Sequence, residues 1–264
     1  MSVRAHAKVP AKSGNTGWSS RRALVFAALA VLFLRELMPL GHFFLYPFTL
    51  LATWVHEMGH GLAAICVGGH FSALEIFSDA SGLAHTSEDP GIKVGVVAAA
   101  GLVAPPIAGA LVLAFARGPR RTKIVLWVLA AALALSLFIW VRSLAGWLAM
   151  PVVIAAIVYA SLRFSDNRRL LFAQFIGLLL GLDTISRLDY LFAKATLIDG
   201  ELRASDTATV AASWGGNYFL WGMLLAAVSL AFVAVGLWAS WRKKRERAAL
   251  PRNATKTAPA RAPA

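Results

Sequence analysis

The 264-residue chain is short of charge and almost devoid of cysteine. Only 15% of its residues are Asp, Glu, Lys or Arg, 58% are hydrophobic, and the mean hydropathy is +0.66. Soluble domains carry about 25% charged residues, so a water-soluble globular protein is excluded and an integral membrane protein is expected. The single cysteine, Cys66, excludes an internal disulfide and a cysteine-based zinc site. No Gly-rich phosphate loop and no internal repeat is present. Acidic residues are the scarcer sign, 13 against 26 Lys and Arg. That excess does not point to nucleic acid. Five of the basic residues lie in residues 1–22 and eight in 242–264, and most others fill gaps between apolar runs, such as Arg117, Arg120, Arg121 and Lys123, or Arg163, Arg168 and Arg169. Cytoplasmic flanks facing anionic lipid have this pattern.

Seven segments approach the roughly 20 apolar residues that a spanning helix needs: residues 22–46, 48–67, 91–116, 122–141, 144–163, 168–193 and 214–241. The chain divides into a basic cytoplasmic N-terminus (1–22), a membrane-embedded domain (23–241) and a basic disordered tail (242–264). Arg35 and Glu36 follow the apolar run from Ala23 to Leu34 with no small-x-small cleavage site, so the first helix is expected to be uncleaved. Residues 68–90 contain a period-two stretch with Phe71, Ala73, Glu75 and Phe77 on one side. Gly68-Gly69 and Ser81-Gly82 bracket it, which predicts a small β-hairpin. The predicted fold is an all-α polytopic bundle with that hairpin. With the basic clusters cytoplasmic, an odd number of crossings must precede Gly91. Segment 48–67 and its hairpin are therefore expected to enter and return from one side, lining a wet cavity.

Residues 56–60 read His-Glu-Met-Gly-His inside an apolar helix. Positions i and i+4 share a helix face, so both imidazoles can reach one cation. Neutral imidazole is a good zinc ligand. Glu57, one position on, is placed to take a proton from water that the metal has acidified and later to hand it to a leaving amine. Chance supplies about 0.003 matches to this pattern at this composition. Three ionisable residues at membrane depth are by default a functional site.

Catalytic zinc usually has three protein ligands. Among acidic residues in later apolar helices, Asp183 is the candidate third ligand. It lies 15 residues into segment 168–193, about 22 Å along it, a depth that matches His56. Asp189 falls near the helix end, and Asp199 and Asp206 in the following loop; Asp189, Asp206 and the hairpin remain the alternatives. His42, His70 and His85 each stand alone and are expected at polar interfaces.

HEMGH, the Gly-Gly hairpin ending in SGLAHT, AAGLVAPPIAGA at 99–110 and a later intramembrane Asp together resemble the M50 (site-2 protease) metallopeptidases, and more closely their M50B-like branch. Gly177 with Asp183, the Ser205-Asp206 pair and WGGNYFLWG at 214–222 resemble the branch's second half. The resemblance covers about residues 48–230. It implies that His56 and His60 hold zinc, that Glu57 is the base and that Asp183 matches the family's later helix aspartate. The wider family's Asn-Pro…Leu-Asp-Gly motif is missing; Leu197-Ile198-Asp199-Gly200 matches only its end.

The expectation is thus a zinc-dependent intramembrane metalloprotease in a lipid bilayer, with a bacterial inner membrane favoured by composition. Its substrate would be a membrane protein or membrane peptide, with no nucleic-acid partner. The alternative is a non-catalytic membrane scaffold or metal-binding protein that keeps the HExxH geometry.

Overall fold

A computed structural model describes residues 39–241. The expectations for residues 1–22, for Arg35-Glu36, for the His42 side chain and for the tail beyond Trp241 lie outside the described residues. The elements in chain order are helix α1 (Pro39–Cys66), strands β1 (His70–Ile76) and β2 (Gly82–Ser87), and helices α2 (Ile92–Phe115), α3 (Pro119–Ile139), α4 (Leu144–Arg163), α5 (Asp166–Ser186) and α6 (Leu188–Leu191). Strands β3 (Ala195–Ile198) and β4 (Glu201–Ala204) and helices α7 (Asp206–Trp214) and α8 (Tyr218–Trp241) complete them. Among the described residues five helices, α2, α3, α4, α5 and α8, are long and apolar enough to cross a membrane. The chain is a mostly helical integral membrane protein with two small antiparallel strand pairs.

Local sequence explains most boundaries. Pro119 opens α3, where its missing N–H is no loss. Ser143 caps α4 by accepting from the Gly146 amide, and Ser205 caps α7 by accepting from the Ala208 amide. Gly215 and Gly216, at φ of 85° and 87°, separate α7 from α8. Segment 168–193 accordingly stops as a helix at Ser186, and the start of 214–241 belongs to the shorter α7. Segments 22–46 and 48–67 are not separate at Pro47. That proline lies inside α1, whose 28 residues run about 42 Å. The C-terminal end of α1 comes back to the start of α2, because Gly69 abuts Ser87 and Glu88.

α2 is the central helix. Its small residues let neighbours approach closely: Gly109 meets the backbone of Gly177 and Gly181 on α5, and Ala110 meets Gly236 on α8. One end of the bundle collects the α2–α3 and α4–α5 connections with their arginines and the end of α8; Arg117 there donates to the Ala239 carbonyl. The opposite end collects both hairpins, α6 and α7, and Trp214 on α7 donates to the Ile92 carbonyl where α2 begins.

The predicted hairpin is present, with Phe71 on the other side from the one expected. A β-bulge between Phe71 and Ala73 shifts the register, so Phe71 shares the buried side with Leu74 and Ile76 rather than with Ala73 and Glu75. β1 is closed along its outer edge. Leu74 donates to the Trp140 carbonyl at 2.8 Å and accepts from the Arg142 amide at 3.0 Å, while the Ile76 amide donates to Ser143 Oγ. β2 pairs only with β1 among the described residues.

Candidate metal centre

His56 and His60 project from the same face of α1, and both are mostly buried. Their Nε2 atoms lie 3.0 Å apart. The third group that meets them is Asp206, the first residue of α7: His56 Nε2 is 3.1 Å from Oδ2 and His60 Nε2 is 3.5 Å from Oδ1. Ser205 positions it, since the Ser205 hydroxyl donates to the Ala193 carbonyl and its backbone amide donates to the Lys194 carbonyl. Burial alone would raise the Asp206 carboxyl, but His60 and His56 beside it outweigh this and hold it well below the usual carboxylate range.

These groups fit a metal. A tetrahedral zinc with bonds of about 2.0–2.1 Å separates its ligand atoms by about 3.3 Å, close to the spacing of the three groups. His60 Nδ1 lies 2.8 Å from the Val97 carbonyl oxygen. Donation there places the ring proton on Nδ1 and leaves the Nε2 lone pair facing the cluster, the arrangement that orients a ligating histidine. The Gly101 position is shaped for that ring, as a Cβ there would overlap the imidazole.

Glu57 is buried beside the cluster and lines the same cavity of about 240 Å³. A Cβ at Gly82 would come within 2.8 Å of Glu57 Cγ, so β2 needs glycine where it passes the carboxylate. One wall of the cavity is β2, through Gly82, Leu83, Ala84 and Thr86; another is the second hairpin, through Ile198 and Arg203. The orientation of the β2 backbone follows from β1. Leu74 and Ile76 direct backbone groups away from β2, so their partners Ala84 and Gly82 occupy non-hydrogen-bonded positions and turn N–H and C=O toward the open edge.

Tyr190 on α6 completes the inner wall. Its ring meets His56 edge-on, with centroids 6.3 Å apart, and its hydroxyl oxygen accepts the Asp206 amide at 3.3 Å. Burial, then the charges of Asp206 and Glu57, push the phenol well above its ordinary value.

Three of the four residues singled out in the sequence thus share one cavity: His56, Glu57 and His60. Asp183 does not join them. Its carboxylate accepts from Arg187 Nε at 3.1 Å, and Arg187 in turn donates to Thr53 Oγ1, which donates to the Ala80 carbonyl in the β1–β2 turn. Asp189 is exposed. His85 pairs with Glu75 across the first hairpin, and His70 is exposed. The residue brought in instead, Asp206, carries a visible signal: Ser205-Asp206 followed by TATVAASW is a helix N-terminus with serine as cap and aspartate in the first turn.

Residues 23–236 match the sequence model of a family described as Peptidase M50B-like. No curated protein and no solved structure matches the chain.

Proposed function

The chain belongs to the Peptidase M50B-like family, and on that basis we propose that it is a zinc-dependent metallopeptidase cutting a peptide bond in or near a transmembrane segment of a membrane protein. The observation that carries the reading is the convergence of His56, His60 and Asp206 within hydrogen-bond distance of one another, with Glu57 in the same cavity. Zinc held by those three side chains would supply Lewis acidity, polarising the scissile carbonyl and acidifying water. Asp206 takes the place as third ligand that the sequence alone offered to Asp183.

The chain's own groups do the rest. Glu57 accepts the proton of the attacking water as it adds to the carbonyl carbon. It then returns that proton to the amine nitrogen as the C–N bond breaks. Its burial beside Gly82 restricts where the carboxylate can point, and this fixes the line of attack.

A helical substrate presents no free amides, so its scissile segment has to be extended first. The open edge of β2 is the surface that favours extension: Gly82 and Ala84 offer unpaired backbone groups alongside Glu57, and a substrate strand can add there. The end of the bundle that holds the site is opposite the end that gathers Arg117–Lys123 and Arg163–Arg169. The positive-inside rule then favours a site opening away from the cytoplasm.

The test is zinc content together with cleavage. Purified wild-type protein should hold one zinc per chain, His56→Ala and Asp206→Ala should lose it, and Glu57→Gln should keep zinc while losing cleavage of a membrane-peptide substrate. Full cleavage by Glu57→Gln, or absence of zinc from the wild type after reconstitution, would overturn the reading in favour of a scaffold.

A further inference from the structure

The cavity is rich in acceptors. Glu57 and Asp206 are carboxylates that accept hydrogen bonds and donate none, and both line the space in which peptide hydrolysis would build negative charge on the carbonyl oxygen. A site of this kind needs a neutral donor aimed at that oxygen. Several polar side chains near the cavity are engaged elsewhere. Thr209 Oγ1 donates to the Ser205 carbonyl, Ser205 Oγ donates to the Ala193 carbonyl, and Arg203 is paired with Glu201 at 2.7 Å.

Tyr190 is placed differently. Its ring lies edge-on to His56, and its oxygen is fixed by the backbone amide of Asp206. It is thereby anchored to two of the three groups at the metal cluster while lining the cavity with Glu57. The short helix α6 exists only because α5 ends at Ser186 and the chain turns at Arg187, whose guanidinium is held by Asp183 and Thr53. The turn carries Tyr190 under the cluster. A phenol O–H carries one hydrogen-bond donor, so it can donate there.

Resting on the peptidase reading above, we propose that Tyr190 is a catalytic residue, its hydroxyl donating a hydrogen bond to the carbonyl oxygen of the scissile peptide as that oxygen becomes an oxyanion. Water adds to the carbonyl carbon, the carbonyl π pair moves to this oxygen, and Tyr190 Oη–H stabilises it. When the C–N bond breaks the pair returns and the hydrogen bond relaxes, and the tyrosine keeps its proton throughout. A merely structural Tyr190 would act instead through Asp206, and zinc binding would report it.

The test compares wild type with Tyr190→Phe, using acetohydroxamate as the probe because its bound oxygen is anionic. Zinc stoichiometry and acetohydroxamate affinity are measured by calorimetry on the full chain in detergent. The expected result is one zinc per chain in both proteins and acetohydroxamate binding about tenfold weaker in Tyr190→Phe, in line with loss of a hydrogen bond to a charged group. Unchanged acetohydroxamate affinity would overturn the proposal, and so would a zinc-loaded wild type that fails to bind the probe. Loss of zinc from Tyr190→Phe would overturn it in favour of a positioning role on Asp206. Absence of zinc from the wild type would sink the peptidase reading itself, and with it this inference.

Discussion

Asp183 and Arg187 are one helical turn apart, and the guanidinium of Arg187 closes on the carboxylate at 3.1 Å. The pair faces the β1–β2 turn through Thr53 and Ala80 rather than the two histidines. Asp183 is 5% exposed and Arg187 25% exposed on their side chains, so removing one partner leaves a charge in a poorly hydrated place. Asp183→Ala is expected to lower stability by about 3 kcal/mol and to leave zinc stoichiometry unchanged. Thermal unfolding in detergent beside a zinc assay checks both; a stable, zinc-free Asp183→Ala would return that residue to the metal.

Gly101 lies under the His60 ring, where a Cβ has no room. Gly101→Ala is therefore expected to push His60 away from His56 and Asp206 and to weaken zinc binding at least tenfold, with the fold retained. A competition titration against a chromophoric chelator measures this directly.

At Gly82 the same substitution acts on Glu57 and spares His56, His60 and Asp206. A Cβ there would lie 2.8 Å from Glu57 Cγ and 2.7 Å from Thr53 Cγ2. Gly82→Ala should keep zinc and lower cleavage about 10²-fold, the cost of misplacing a reacting group by about 1 Å. Turnover and zinc content of the same preparation decide it.

The open edge of β2 can be blocked without touching β1. Ala84 turns its amide away from its partner Leu74, and proline is tolerated on edge strands because the missing donor faces outward. Ala84→Pro should preserve zinc and thermal stability while cleavage of a membrane-peptide substrate falls by at least tenfold. Unimpaired turnover would remove strand addition from the mechanism.

Cys66, free and exposed at the end of α1 that carries the site, reports sidedness without any engineering. A membrane-impermeant maleimide added to intact cells should label it if the site opens away from the cytoplasm. Labelling only after the cytoplasmic face is exposed would reverse the orientation.

Position along a helix is easier to read from a sequence than direction around it. Asp183 does lie at the level of the histidines: its neighbour Thr184 donates to the Leu102 carbonyl, and Gly101, one residue before, touches His60. Counting residues along a helix gives that level, because rise per residue is fixed. Which way Asp183 turns depends on how α5 is rotated against α1 and α2, and that rotation is set by Gly109, Gly177 and Gly181 packing together. Asp206 stood only among the alternatives for the opposite reason. It sits in a polar stretch that has no periodicity, and only folding of the 187–205 segment carries it back to α1. The second hairpin had a local signal in Asp199-Gly200, whose φ values of 50° and 76° suit a tight hairpin turn. Its strands are too short to show alternation. The bulge at Ser72 likewise broke the period-two pattern that put Phe71 on the same side as Ala73 and Glu75.

His56 and His60 belong to the first helix described and Asp206 to the short helix just before the last. Synthesis proceeds from the N-terminus at about 5–20 residues per second, so the motif that looks most like a finished centre enters the bilayer long before its third group is made. Until α7 emerges and docks on α2, the two imidazoles have no aspartate to complete them. On the peptidase reading, a half-made chain in the membrane would therefore be unarmed, and incorporation of the metal would certify completed assembly.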